Sequence, residues 1–164
     1  MKNSGRKWTK SDIIWTMRSR TLSNIITGTY NYQIDPKGRV RIPARIKELL
    51  GHNLSIGYGA GEYLVVYTEE MMDKIYKKYS DLEVFDGDAY DSVREMFANI
   101  YPFTADSQDR YQIPLAMRER VGLKDDIVFV GVVNKLEIWS VENYSKRKDK
   151  SVSQSNMADF KALK

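Results

Sequence analysis

One short segment occurs twice in this chain, and the repeat constrains the fold more than any other feature. Residues 34–51 and residues 105–122 align with an offset of 71. The positions that keep the same residue in both copies are Asp35 and Asp106, Arg39 and Arg110, Ile42 and Ile113, Pro43 and Pro114, Glu48 and Glu119, and Gly51 and Gly122. After one inserted residue the similarity resumes, because residues 64–68 match residues 136–140. Two copies of a unit of roughly 35 residues are best interpreted as one architecture.

Length and composition limit the class of protein. A chain of 164 residues with 42% hydrophobic residues suits one domain or two closely packed half-domains. No apolar run approaches the ~20 residues of a membrane span, and the basic N-terminus lacks the apolar stretch of a secretion signal. There are no cysteines to form disulfides or thiolate metal sites. We therefore expect a soluble, cytoplasmic protein without a membrane partner.

Charge is distributed unevenly along the chain. Residues 1–20 contain six Lys and Arg residues against Asp12, whereas residues 68–101 are net acidic. The segment from Val141 onward is basic again. Basic ends on a mixed body favour a polyanionic partner, although a pI near 9.1 is weak evidence by itself.

Local patterns predict the elements of the first unit. The predicted order is a strand over 29–34, a turn over 35–38, a returning strand over 39–42, a helix over 43–50 ended by Gly51, and a second hairpin with strands 54–58 and 63–67. Thr68 should then cap a helix with acidic residues in its first turn and lysines later.

The rest of the chain follows from the same patterns. A further helix is predicted over about 88–100, the strand–turn–strand–helix–hairpin series returns over 103–139, and a last helix starts near Val141. Residues 1–24 show no clean period and indicate a flexible arm with a helical turn around residues 13–18.

The two motifs and the segments around them resemble the MraZ family of bacterial transcription regulators, within the AbrB-type swapped-hairpin superfamily. The similarity covers about residues 27–145. It depends on both D-x-x-x-R motifs at the right separation and on the closing L-E-I-W of residues 136–139. The resemblance implies an α+β fold in which two tandem swapped-hairpin units form one pseudo-twofold β-barrel with short flanking helices. It also implies ring-shaped homo-oligomers.

The resemblance further implies a function and a division of the chain. It implies D-x-x-x-R loops that contact double-stranded DNA at short G-rich repeats upstream of the division and cell-wall gene cluster, and hence a nucleoid-associated protein. The expected parts are a basic arm (1–24), a first AbrB-like unit (29–71), a helical connector (72–99), a second unit (100–143) and a polar basic tail (144–164).

The chemistry of the motif agrees with that implication. A carboxylate four residues before an arginine, across a tight turn, can fix the guanidinium by charge-assisted hydrogen bonds. A pre-oriented arginine suits a phosphate or the O6/N7 edge of guanine. The candidate DNA-binding residues are Asp35, Lys37, Gly38, Arg39, Arg41, Arg45, Asp106 and Arg110. The alternative is that each aspartate and arginine only hold a turn together.

The second copy departs from the first at two positions of the turn. Asp109 stands where the first copy has Gly38, and Gln108 replaces Lys37. Aspartate tolerates a left-handed turn, so the backbone should survive. Its carboxylate, however, should repel phosphate beside Arg110. Direct DNA contact by Arg110 and a purely structural salt bridge therefore both stay open.

No other motif predicts chemistry. The sequence shows no P-loop, no nucleophile with a base and no metal-ligand spacing, so we expect neither an enzyme nor a cofactor, metal or small-molecule substrate. The rival interpretation is an antitoxin-like protein-interaction module of the same superfamily, which would capture a toxin with a disordered tail. The tail from Ser145 onward is short, basic and poor in apolar anchors.

Overall fold

The structure is a computed structural model that describes residues 24–82 and 87–154. Its strands are β1 (Ile26–Gln33), β2 (Arg39–Val40), β3 (Leu54–Tyr58), β4 (Tyr63–Tyr67), β5 (Tyr101–Phe103), β6 (Tyr111–Gln112), β7 (Asp126–Val133) and β8 (Lys135–Ser140). Its helices are α1 (Ala44–Leu50), α2 (Glu69–Tyr79), α3 (Asp88–Ala98), α4 (Leu115–Arg120) and α5 (Val141–Gln154). The helical turn expected around residues 13–18 lies outside these ranges, as do residues 155–164 of the predicted tail.

The strands form two antiparallel sheets whose order exchanges strands between the two units. The larger sheet has the order β1-β7-β8-β4-β3-β5, and the smaller one pairs β2 with β6. Strands β1–β4 belong to the first unit and β5–β8 to the second. The first strand of each unit therefore pairs with the third strand of the other.

The register shows that this exchange is symmetric. In the small sheet Val40 lies opposite Tyr111, its own equivalent at the offset of 71. In the large sheet Val65 lies opposite Glu137, which is its equivalent once the inserted residue is counted. A pseudo-twofold axis relating the two units consequently passes through the centre of each sheet.

Two details of the predicted fold need correction. The strand after the first turn does not return along β1, because β2 is only two residues long and pairs with β6 of the other unit. The chain already pairs with the second unit just before the turn, because the N–H of Ile34 donates to the carbonyl of Asp125 at 2.7 Å. A closed barrel is not confirmed either, since β1 and β5 are the unpaired edges of an open six-stranded sheet in the part of the chain described.

Other local predictions are confirmed. The hairpin of β3 and β4 has the predicted bounds. The Thr68 hydroxyl accepts a hydrogen bond from the N–H of Met71 at 3.3 Å and caps α2. Helix α1 begins just after Pro43 and ends at Gly51, whose φ of 81° suits glycine. The coarse α+β class therefore follows from the sequence.

A single core holds the two units together. It contains Val40, Ile42, Ile56, Leu64 and Val66 from the first unit and Phe103, Tyr111, Ile113, Phe129 and Ile138 from the second, all nearly inaccessible. Rings from different elements meet inside it, with 4.9 Å between the centroids of Phe103 and Tyr111. Burying one such side chain contributes about 1.5–3 kcal/mol. Because the core residues come from both units, neither unit would keep this stabilisation alone. The small sheet next to both turns is part of this core, since Val40 of β2 and Tyr111 of β6 are buried in it.

Candidate functional site

In the first turn, a carboxylate whose two oxygens both accept hydrogen bonds holds the arginine in place. Oδ1 of Asp35 accepts the backbone N–H groups of Lys37 and Arg39, each at 2.9 Å. Oδ2 accepts Nε of Arg39 at 2.7 Å and lies 2.6 Å from its Nη2. The Arg39 side-chain hydrogen bond, aided by these N–H groups, lowers the pKa of Asp35 from its ordinary 3.8 to about 2. The guanidinium is consequently held by a carboxylate that stays ionised throughout the physiological range.

The second turn repeats this geometry atom by atom. Oδ1 of Asp106 accepts the N–H groups of Gln108 at 2.9 Å and Arg110 at 3.0 Å. Oδ2 accepts Nε of Arg110 at 2.9 Å and lies 2.8 Å from Nη2. The side-chain hydrogen bond from Arg110 again comes first among the causes that lower the pKa of Asp106 to about 2. The departures at residues 108 and 109 have not changed the motif.

The fourth residue of each turn has a positive φ, which explains the residues found there. Gly38 has a φ of 80° and Asp109 a φ of 60°. Glycine adopts this region without steric cost, and aspartate tolerates it better than most residues. The expectation that aspartate would preserve the turn is confirmed.

Each turn is contacted by the helix of the other unit, which the sequence did not reveal. Lys47 of α1 forms an ion pair with the carboxylate of Asp109, and this hydrogen bond raises the pKa of Lys47. Arg118 of α4, the equivalent of Lys47 at the offset of 71, lies over Gly38, where an added Cβ would stand 2.5 Å from its Cζ. Both bases thus come from the partner unit and reach the same position of the turn.

A further cross-unit contact joins the first turn to the strand that follows the second turn. Gln112, the equivalent of Arg41, donates its Nε2 to the carbonyl of Lys37 at 2.8 Å, and the N–H of Ile113 donates to the carbonyl of Gly38 at 2.9 Å. These bonds tie β6 to the first turn, so the turns are parts of one surface.

The arginines of both motifs line one open groove of about 1010 Å3. Arg39, Arg41 and Arg110 contribute its positive charge, and Asp35 and Asp126 its negative charge. Both acids already have partners, since Asp35 binds Arg39 and Asp126 accepts Nε2 of Gln33 at 3.0 Å. Three arginines against two aspartates leave the lining with one net positive charge.

The predicted site residues are distributed around this groove. Asp35, Arg39, Arg41 and Arg110 line it. Lys37 and Arg45 are exposed but do not line it, and Gly38 is buried beneath Arg118. Asp106 acts on the groove only by holding Arg110. Across residues 24–82 and 87–154, no group of His, Asp or Glu side chains could hold a metal, and no helix is long and apolar enough to cross a bilayer.

Known proteins of similar sequence identify the family. The family model described as "MraZ protein, putative antitoxin-like" matches residues 25–94 and again residues 96–164. A "Transcriptional regulator MraZ" of Heliobacterium modesticaldum is 35% identical over 124 residues, which cover 76% of this chain and 87% of the relative. The protein of the same name from Caldanaerobacter subterraneus subsp. tengcongensis is 35% identical over 133 residues, covering 79% and 93%. The resemblance inferred from the two motifs is confirmed, and the chain belongs to the MraZ family.

Proposed function

We propose that this protein is a sequence-specific, DNA-binding transcriptional regulator and that the groove of Arg39, Arg41 and Arg110 is its DNA-contacting surface. The observation that carries the proposal is the meeting of two carboxylate-fixed arginines, one from each repeat, in a single open groove. The names of the relatives, which are transcriptional regulators, support the same conclusion.

Each aspartate and the arginine it holds form what we call an Asp–Arg fork, and the geometry of the two forks gives the proposed mechanism. Asp35 engages the Nε and Nη2 edge of Arg39, and Asp106 does the same for Arg110. Because a guanidinium carries five donors in a rigid plane, the edge that contains Nη1 is left to bind a second acceptor. That acceptor would be a phosphate or the O6/N7 edge of a guanine. Since the plane is already fixed, little side-chain entropy is lost on binding.

Arg41 completes the surface in a different way. It is exposed, lines the same groove, and no ion pair to it occurs among the described residues. An arginine of this kind suits a phosphate contact, which positions the protein on the duplex without reading its sequence. Lys37, which follows the lining residue Pro36, and Arg45 are also exposed, and we propose that they extend this contact along the DNA backbone.

The finer target follows from the family resemblance. We propose short G-rich repeats upstream of the division and cell-wall gene cluster, including the protein's own gene, and we therefore also propose that the protein associates with the nucleoid in the cytoplasm. A guanine-rich target fits two fixed arginine forks, because arginine bound to guanine is the commonest specific base contact.

Binding to repeated sites calls for several copies of the chain, and we propose a ring-shaped homo-oligomer. Two features support assembly: the edges of β1 and β5 are unpaired within the described chain, and Tyr76, Leu115 and Val133 are each more than half exposed. Linked copies could raise avidity about 10²–10⁴-fold without new contacts. Light scattering at micromolar concentration should show a large assembly; a monomer that binds one isolated repeat tightly would contradict it.

The test of the proposed function is a binding titration on the upstream region of the protein's own gene. Fluorescence anisotropy should show tight binding to a duplex with the G-rich repeats and much weaker binding to a permuted duplex of equal composition. Log K should fall linearly with log salt, by about 0.9 for each phosphate neutralised. Equal affinity for both duplexes, or no affinity, would reject the proposal.

The antitoxin-like alternative remains the second candidate, because the description of the matching family model includes that term. It predicts that the purified protein fails to distinguish its upstream DNA while forming a stable complex with a toxin partner. The binding titration separates the two functions, since the steep salt dependence belongs to DNA binding.

A further inference from the structure

The contact between Lys47 and Asp109 joins a helix of one repeat to the turn of the other. The two side chains are 62 positions apart in sequence, and the pair is partly exposed, with 29% of the Lys47 side chain and 48% of the Asp109 side chain accessible. An exposed pair contributes little to stability. The more important effect of this pair is on the net charge of the residues around it.

The surroundings are the second of the two arginine forks. Asp109 directly precedes Arg110, which lines the groove, and Asp106 already binds that arginine. With Lys47 in place, the charges of Asp106, Asp109, Arg110 and Lys47 balance. Without Lys47 the second turn would carry a net negative charge beside the groove, and a polyanion would be repelled.

We infer that Lys47 is a positioning residue that neutralises Asp109 from the other repeat and thereby keeps the second turn, with Arg110, able to face DNA. The inference rests on the proposed DNA-binding function and extends it to a residue outside the D-x-x-x-R motifs. Lys47 needs no contact with DNA, since it acts through Asp109.

A base from the other repeat also contacts the first turn, but the fourth residue of that turn is a glycine and has no carboxylate. Gly38 offers no charge to neutralise, and Arg118 lies over it while donating Nε to the carbonyl of Ile113 at 3.1 Å. The partner base is present at both turns, but only the second turn carries an acid at the fourth position. Lys47 should accordingly be dispensable once Asp109 is neutral, whereas Arg118 has no such acid to offset.

A double-mutant cycle in the full chain tests this dependence. The variants are Lys47→Met, Asp109→Asn and the two combined, measured by anisotropy on the G-rich duplex at low salt. Lys47→Met, which leaves the second turn with one net negative charge, should weaken binding roughly three- to tenfold, whereas the double variant, whose second turn is neutral again, should bind within about twofold of the parent. Lys47→Arg should restore the parent affinity. Lys74→Met, which breaks the exposed pair with Glu70 on α2, serves as the matched control and should leave binding unchanged.

The outcomes separate the inference from the function on which it rests. If the double variant binds as weakly as Lys47→Met alone, Lys47 contacts DNA or acts only structurally, and the inference is overturned while the proposed function stands. If Lys47→Met has no effect, the inference is again overturned. If the parent protein does not bind the duplex, the proposed function fails and the inference fails with it.

Discussion

The two D-x-x-x-R turns have the same internal geometry and different surroundings. In both, the aspartate accepts two backbone N–H groups and two donors of the arginine four residues later, at distances that agree within 0.2 Å. At the fourth position, however, one turn has a glycine beneath Arg118 and the other an aspartate bound to Lys47. The orientation of the arginine is thus a local property, whereas the charge presented around it is set by the opposite repeat.

The largest expected effect comes from removing one fork at a time. Arg39→Ala should weaken operator binding by about 1–3 kcal/mol per site, and more in a multivalent ring, because a bidentate contact is lost. Arg110→Ala should also weaken binding, by a smaller amount, since its turn is locally neutral. The control is Arg94→Ala, which removes an Asp–Arg pair on the surface of α3. Parent affinity for Arg110→Ala would make the second pair a structural salt bridge only.

The next prediction contrasts the fourth positions directly. Gly38→Ala places a Cβ at a φ of 80° and against Arg118, so the free energy of unfolding should fall by about 1–2 kcal/mol. Asp109→Gly removes a side chain from the same backbone region and should change stability by less than that. Urea unfolding of both variants measures the difference. An equal loss in the two variants would show that the turns are not equivalent in conformation.

A third experiment gives the second turn the chemistry of the first. Asp109→Gly combined with Gln108→Lys adds two units of positive charge and releases Lys47 from its pair. If the second turn faces DNA, the salt slope should steepen by about 0.9 for each added phosphate contact. An unchanged slope in an intact oligomer would assign DNA contact to residues 35–45 alone.

The smallest effect concerns pH. Because the pKa values of Asp35 and Asp106 are lowered from 3.8 to about 2, the stabilisation by both pairs is present above pH 3.8 and is lost as pH falls towards 2. Carboxyl NMR titration should give both residues similar low values. A value near 3.8 for only one of them would show that its pair is not formed in solution.

Much of this molecule could be predicted from local sequence. The repeat, the two turns, the hairpin of β3 and β4, and the cap at Thr68 each depend on residues that are close together in the chain. The pairing of β2 could not be predicted in this way, and the expected return along β1 was wrong. A strand of two residues forms too few hydrogen bonds to determine which strand it pairs with. The pairing of β2 with β6 is instead determined by the packing of both strands in the shared core.

The Asp–Arg forks follow from a single stretch of chain, because a carboxylate, two backbone N–H groups and a guanidinium lie within five consecutive residues. The meeting of both forks in one groove and the pair of Lys47 with Asp109 depend instead on contacts between residues far apart in the chain. These contacts arise because the two repeats exchange strands. Neither unit can bury its apolar face alone, so each completes the core of the other and, in doing so, carries its helix to the other's turn.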